Sequence, residues 1–100
     1  MASGNIANQG VKYKEVTLTV SDIIAPNTSN RFWITYDASL YNSKLIGVEL
    51  IDSNLGTSTI LLNAIGITKD PTVSRICIPI YNNHSSAQSV SSVTLRIYYI

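Results

Sequence analysis

One hundred residues make a single domain with room for a thin core. Only 13% of them are charged, the formal net charge is +1 and no basic or acidic run occurs, which argues against nucleic acid and anionic membrane as partners. No stretch approaches the roughly 18 apolar residues of a membrane span, and the single cysteine, Cys77, excludes an internal disulfide framework or a multi-cysteine metal site within one chain.

Uncharged polar residues take the place of charge: 13 Ser, 9 Thr and 9 Asn. Hydrophobic residues make up 45% of the chain, which sets it apart from disordered segments. Fourteen Ile, seven Val and nine Thr give thirty β-branched residues, the side chains that fit a pleated, half-buried surface. A low-charge surface rich in Ser, Thr and Asn suits an extracellular or virion-exposed protein and suits packing against copies of itself.

Residues 1–12 read as a flexible leader or the remnant of a connection to something upstream. The first ten (MASGNIANQG) are small and polar, without the charged and apolar regions of a signal peptide. Domain 13–100 follows. Tyr13 to Ser21 alternates, with Val16, Leu18 and Val20 on one face and Glu15, Thr17 and Thr19 on the other, so it predicts a half-buried strand. Asp22 to Asn30 holds Pro26 and several Asx and Ser residues and reads as a loop, with Ile23 and Ile24 tucked over the end of the core. Asn30 to Tyr36 predicts a second strand, with Phe32, Ile34 and Tyr36 opposite Arg31, Trp33 and Thr35. Asp37 to Ser43 reads as a loop or one irregular turn. Lys44 to Asp52 predicts a third strand in which Ile46, Val48 and Leu50 share a face and Gly47 marks a bulge or a close backbone approach.

Ser53 to Ser58 forms a turn, with Gly56 free to take positive φ. Thr59 to Thr68 (TILLNAIGIT) is apolar on both faces. It predicts a central strand covered on both sides, favoured over a short buried helix by its β-branched content and Gly66. After a turn at Lys69 to Thr72, Val73 to Tyr81 sets Ile76, Ile78 and Ile80 against Arg75, Cys77, Pro79 and Tyr81. Pro79 cannot donate to a ladder, so this strand is an edge or is bulged there. Asn82 to Ser92 reads as a polar loop, and Val93 to Ile100 as a closing strand with Val93, Leu95, Ile97 and Tyr99 on one face. The expected fold is all-β: an antiparallel β-sandwich, jelly-roll-like, of about six to eight strands.

The chemistry points away from catalysis. His84 is the only histidine, and no Ser in an elbow motif or carboxylate at relay spacing accompanies it. Cys77 lies mid-strand without a nearby His and reads as a small buried hydrophobe. Asp22, Asp37, Asp52 and Asp70 fall at strand ends or turns, where Asp organises backbone. No zinc spacing, EF-hand loop, P-loop or dinucleotide fingerprint occurs, so no catalytic residue, metal or cofactor is expected. Binding has more support. Trp33 is either an exposed ring marking a ligand site or a cover at the edge of the core. Tyr41 adds aromatic surface, and Asn82, Asn83 and His84 add donors and acceptors, so Trp33, Tyr41, Asn82, Asn83 and His84 are the candidate ligand-binding residues. Tyr98, Ile100 and Leu61 are the candidate subunit-interface residues, because the last strand and the 59–68 run carry more apolar surface than six strands cover.

Three runs carry a family resemblance: Val16-Thr-Leu-Thr-Val20, Lys44-Leu-Ile-Gly-Val-Glu-Leu-Ile51, and the terminal Val93-Thr-Leu-Arg-Ile-Tyr-Tyr-Ile100 after Tyr81-Asn82 and a Ser/Ala loop. Their order over residues 13–100 resembles the C-terminal head domains of tail-fibre and receptor-binding proteins from bacteriophages and prophages of Gram-positive bacteria. The resemblance implies a β-sandwich head that forms a homotrimer at a virion tail tip and binds a host cell-wall or surface saccharide, with no nucleic acid and no membrane insertion. No stalk, collagen-like repeat or coiled-coil heptad accompanies it. The chain is then an excised head or a stand-alone structural module, and the competing classes are a tail or decoration module making protein contacts only, and a bacterial adhesin or carbohydrate-binding module.

Overall fold

A computed structural model describes residues 10–35, 37–56 and 61–100. It contains seven strands and one helical turn: β1 (Lys12–Ile24), β2 (Ser29–Ile34), α1 (Ala38–Tyr41), β3 (Leu45–Ser53), β4 (Leu62–Ala64), β5 (Thr68–Lys69), β6 (Ile76–Asn82) and β7 (Gln88–Tyr99). The predicted leader through Asn8 and Gln9, Tyr36, and the first two residues of the predicted 59–68 strand lie outside the described residues. The strands form two antiparallel sheets, one ordered β1-β7-β3 and the other β2-β6-β4 with β5 also on β6. The fold is an all-β sandwich, as expected. Its winding is that of a rolled ribbon. β1 and β2 run as one side and β7 and β6 as the other, so β1 pairs with β7 in the first sheet and β2 with β6 in the second.

The inner faces follow from side-chain alternation. Phe32 and Ile34 of β2, Ile76, Ile78 and Ile80 of β6, and Val90, Val93, Leu95 and Ile97 of β7 are all buried. Burying one such aliphatic side chain contributes about 1.5–3 kcal/mol. The predicted loop at 22–24 is instead the end of β1. A register shift between Thr19 and Asp22 marks a bulge that lets the strand continue, so Ile24 is 0% exposed while its neighbour Ile23 is 67% exposed. The polar run 82–92 is likewise mostly strand. β7 begins at Gln88, with only 83–87 left as loop, because β1 pairs with it as far as Ile24 opposite Gln88, while the Asn54 carboxamide bonds its other edge where β3 no longer reaches. Its oxygen accepts the N–H groups of Ser91 and Ser92 at 2.9 and 3.4 Å, and its nitrogen donates to the Ser89 carbonyl at 3.0 Å.

Two further expectations are corrected by register. In β3, shifts between Leu45 and Gly47 and between Leu50 and Asp52 change which side chains face inward. Leu45, Val48 and Leu50 pack toward the core and Ile46 is 44% exposed, although the bulge at Gly47 was expected. The 59–68 run is not a central strand. From Leu62 it is a broken edge, β4 and β5, while β6 is the interior strand of its sheet. Pro79 explains the break. Its carbonyl accepts the Ile65 N–H at 3.0 Å, so its missing donor lies on that same side. The partner strand loosens there over 65–67, and β5 resumes one residue out of register.

The ribbon folds over at 25–28 and 83–87, and Asn82 sits in the corner, fully buried. Its backbone N–H donates to the Thr28 carbonyl at 2.8 Å and its carbonyl accepts the Asn27 N–H at 2.9 Å. Its carboxamide nitrogen donates to the carbonyls of Ile24 at 2.9 Å and Ser86 at 3.0 Å, and its oxygen accepts the His84 N–H at 2.8 Å. Asn82 therefore ties both sheets together. That use of its polar atoms corrects the expectation that it contacts a ligand.

Candidate functional site

The outer face of the β2-β6-β4 sheet holds a cleft of about 280 Å³, lined by Arg31, Trp33, Thr68, Lys69, Asp70, Pro71 and Cys77. Alternation and register build it. On β2 the residues between buried Phe32 and Ile34 point outward, which brings out Arg31 and Trp33. On β6 the same rule brings out Cys77 and Pro79. Trp33 lies opposite Cys77, and Thr68 of β5 lies opposite Cys77 on its other side, so Trp33, Cys77 and Thr68 form one row across three strands. At the usual strand spacing that row is roughly 10 Å wide.

One wall is the turn from Asp70 to Arg75, folded around a single carboxylate. Asp70 Oδ1 accepts the Thr72 N–H at 2.9 Å, the Thr72 hydroxyl at 3.0 Å and the Val73 N–H at 3.2 Å, and Oδ2 accepts Arg75 Nε at 2.8 Å. These donors, the Thr72 N–H foremost and then Arg75, hold the Asp70 carboxyl well below the usual carboxylate range. Arg75, fixed by Asp70, lays its guanidinium 3.7 Å from the centre of the Trp33 ring. The turn is braced from below. The Tyr41 hydroxyl donates to the Asp70 carbonyl at 2.7 Å, and the Lys69 ammonium donates to the Ser43 carbonyl while lying 5.7 Å from the Tyr41 ring. Tyr41 is held there by α1, whose first turn is capped by the Asp37 side chain.

The electrostatics are lopsided. Arg31 lines the cleft as a cation, Lys69 lines it with its ammonium turned to Ser43 and Tyr41, and Asp70 is its sole acidic lining residue, already committed to Arg75 and the turn. Arg31 makes no ion pair with any described residue, and the residue opposite it on β6 is Pro79. Burial pushes the Cys77 thiol up, against a smaller opposite pull from Arg31 and Arg75, so the sulfur remains a neutral thiol at pH 7.

The sequence-predicted residues divide between two ends of the sheet. Trp33 lines the cleft, half-buried under Arg75, which corrects the picture of a freely exposed ring. Tyr41 braces the cleft's turn from the core side. Asn82 ends β6, about 17 Å along the strand from Cys77 at standard rise, and Asn83 and His84 lie just beyond it. There the Asn83 N–H donates to the Leu61 carbonyl at 2.8 Å, and His84 Nδ1 lies 2.8 Å from the Ser86 hydroxyl and accepts the Ser86 N–H at 3.1 Å. The interface candidates are not brought together either. Tyr98 and Ile100 sit at the open end of β7, Ile100 paired through its backbone with Lys44, whereas Leu61 lies at the corner end. Arg31, Thr68, Lys69, Asp70, Pro71 and Cys77 were missed as site residues. The sequence signal for two of them was present, since Arg31 shares a face with Trp33 and Cys77 stands opposite the Ile stripe.

Among the described residues no group of three or more His, Cys, Asp and Glu side chains could hold a metal ion. The chain matches no protein-family model, no curated protein and no solved structure.

Proposed function

We propose that the chain is the non-enzymatic head of a phage tail fibre or receptor-binding protein, which assembles as a homotrimer and recognises a saccharide on the host surface through the Trp33 cleft. The observation that carries this reading is the cleft itself: the Trp33 indole, a threonine and the charged side chains of Arg31 and Asp70 around about 280 Å³ of space. Pockets of this kind, with an apolar wall and a few placed polar groups, are the usual form of small-ligand sites. The sequence resemblance supports the phage context, and the sandwich architecture is compatible with it.

The second reading, a tail or decoration module making protein contacts only, draws on a different surface. Tyr13 and Tyr98 are cross-strand neighbours with ring centres 6.2 Å apart at the open end of the β1-β7-β3 sheet, where Val11 is 45% and Ile100 51% exposed. A glycan array and a host-cell pull-down decide between the two, with Trp33→Ala as the control. Binding lost in Trp33→Ala supports the head reading. Wild-type protein that binds neither the array nor host cells favours the protein-contact module. Light scattering tests assembly separately, and a clean monomer at micromolar concentration counts against the trimer.

A further inference from the structure

We infer that the Trp33 cleft takes an acidic sugar, with a ring carboxylate or phosphate held by Arg31 and the ring set against the Trp33 indole. This inference rests on the saccharide-binding reading above and names the chemical class of its ligand. One carboxylate, Asp70, lines the cleft and is taken up by Arg75 and by three donors of its own turn, while Lys69 lines the cleft with its ammonium turned to the Ser43 carbonyl and the Tyr41 ring. Arg75 is therefore neutralised where it stands and the Lys69 ammonium is engaged away from the cleft, so Arg31 leaves the cleft with one unanswered positive charge. Arg31 is exposed and opposed across the ladder by Pro79, so no partner within the described residues competes for its guanidinium. A planar guanidinium on a rigid strand favours a carboxylate or phosphate, whose two oxygens it grips at once. The volume, near the lower bound of about 300 Å³ for ligand pockets, suits one sugar ring. A neutral sugar would leave the Arg31 guanidinium without an anionic partner. A bare anion would leave the Trp33 indole and Thr68 unused.

Two probes report on the cleft without an activity assay, because the chain's one Trp and one Cys both line it. Trp33 emission and the rate of Cys77 alkylation are followed during titration with glucuronate, glucose 6-phosphate, glucose and inorganic phosphate. At least one of the two acidic sugars is expected to shift the emission and slow alkylation, with glucose about tenfold or more weaker. The acid that acts identifies a carboxylate or a phosphate as the preferred group. Arg31→Gln, an exposed change whose folding is checked by its melting curve, is expected to weaken that acid about tenfold, and raising salt to about 0.5 M should weaken it as well. Equal responses to glucose and the acids, an undiminished response in Arg31→Gln, or no response to either acid overturns the inference. Inorganic phosphate matching glucose 6-phosphate overturns the part played by the ring. Array binding that persists in Arg31→Gln sinks the acidic-sugar inference and leaves the receptor-binding reading standing, whereas silence on both the array and the probes sinks both.

Discussion

On the outer face of the β1-β7-β3 sheet, Arg96 donates to Glu15 at 2.7 and 3.0 Å, the Tyr98 hydroxyl donates to Glu49, and Thr17 and Thr94 share a hydrogen bond of 3.0 Å. Arg96 also lies 5.0 Å from the centre of the Tyr13 ring. On the outer face of the β2-β6-β4 sheet, Arg31 meets Pro79 and Trp33 meets Cys77. Both faces carry arginine and aromatic side chains, yet one satisfies itself and the other leaves charge and an indole for something else. Register makes the difference. Arg96 stands between Glu15 and Glu49 on its two neighbouring strands, so its charge is answered across the ladder. The Glu49 hydrogen bond accordingly raises the Tyr98 phenol above its usual range, keeping it neutral, and Glu15 raises Arg96 likewise. A face whose charges are answered internally reads as a finished surface. One whose charges are not reads as a place of recognition.

The largest effects test the frame on which both faces stand. Ile78→Ala, at a fully buried position of β6, is expected to cost about 2–5 kcal/mol in urea unfolding, while Cys77→Ala next to it costs less than about 1.5 kcal/mol. Similar losses would mean that the cleft face is packed as tightly as the core and would undo the distinction between them. Asn82→Ala is expected to cost about 2–3 kcal/mol, because it orphans the Ile24 and Ser86 carbonyls and the His84 N–H in the corner. Amide exchange should speed up on both sides of that corner, in β1 and in β6. Faster exchange in one sheet alone would show that the sheets are held together elsewhere.

Smaller effects separate the faces themselves. The Lys14 ammonium, 2.5 Å away, and then the Ser39 hydroxyl hold the Asp37 carboxyl down at about 2. The folded value lies below the unfolded one, so the resulting stability is present above about pH 4 and is lost as pH falls toward 2. Discounted for the exposure of Lys14, it amounts to about 1 kcal/mol, and Asp37→Asn, which keeps the helix cap, should flatten that part of the acid-unfolding curve. An unchanged acid limb would remove Asp37 from the account. Smallest is the Glu15–Arg96 pair. A double-mutant cycle on this largely solvent-exposed pair should give a small favourable coupling that shrinks with salt. A coupling of zero at low salt would mean that the ladder on this face is decorative, and the contrast with the cleft would lose its basis.

Much of the inner architecture was legible in the residues because strand alternation is local. Val93, Leu95 and Ile97, or Ile76, Ile78 and Ile80, announce a buried face whatever they pair with. Trp33 was legible as a candidate for the same reason, since the alternation that buries Phe32 and Ile34 turns it outward. Asn82 misled because its type predicts a surface loop, and only a folded corner supplies the carbonyls and the N–H that satisfy it in the interior.

By itself, then, the sequence determined that the chain is all-β, which residues point inward along β1, β6 and β7, and that Pro79 must interrupt a ladder. Tertiary structure decided the rest: that β6 is an interior strand, that the 62–69 segment breaks opposite Pro79, that Arg96 finds two glutamates and Arg31 none, and that Trp33, Cys77 and Thr68 fall in one row. The physical reason is the range of the interactions involved. Side-chain alternation repeats every two residues along the chain, whereas partners across a ladder lie tens of residues apart, and a single bulge, as at Thr19 to Asp22 or Leu45 to Gly47, changes every pairing beyond it.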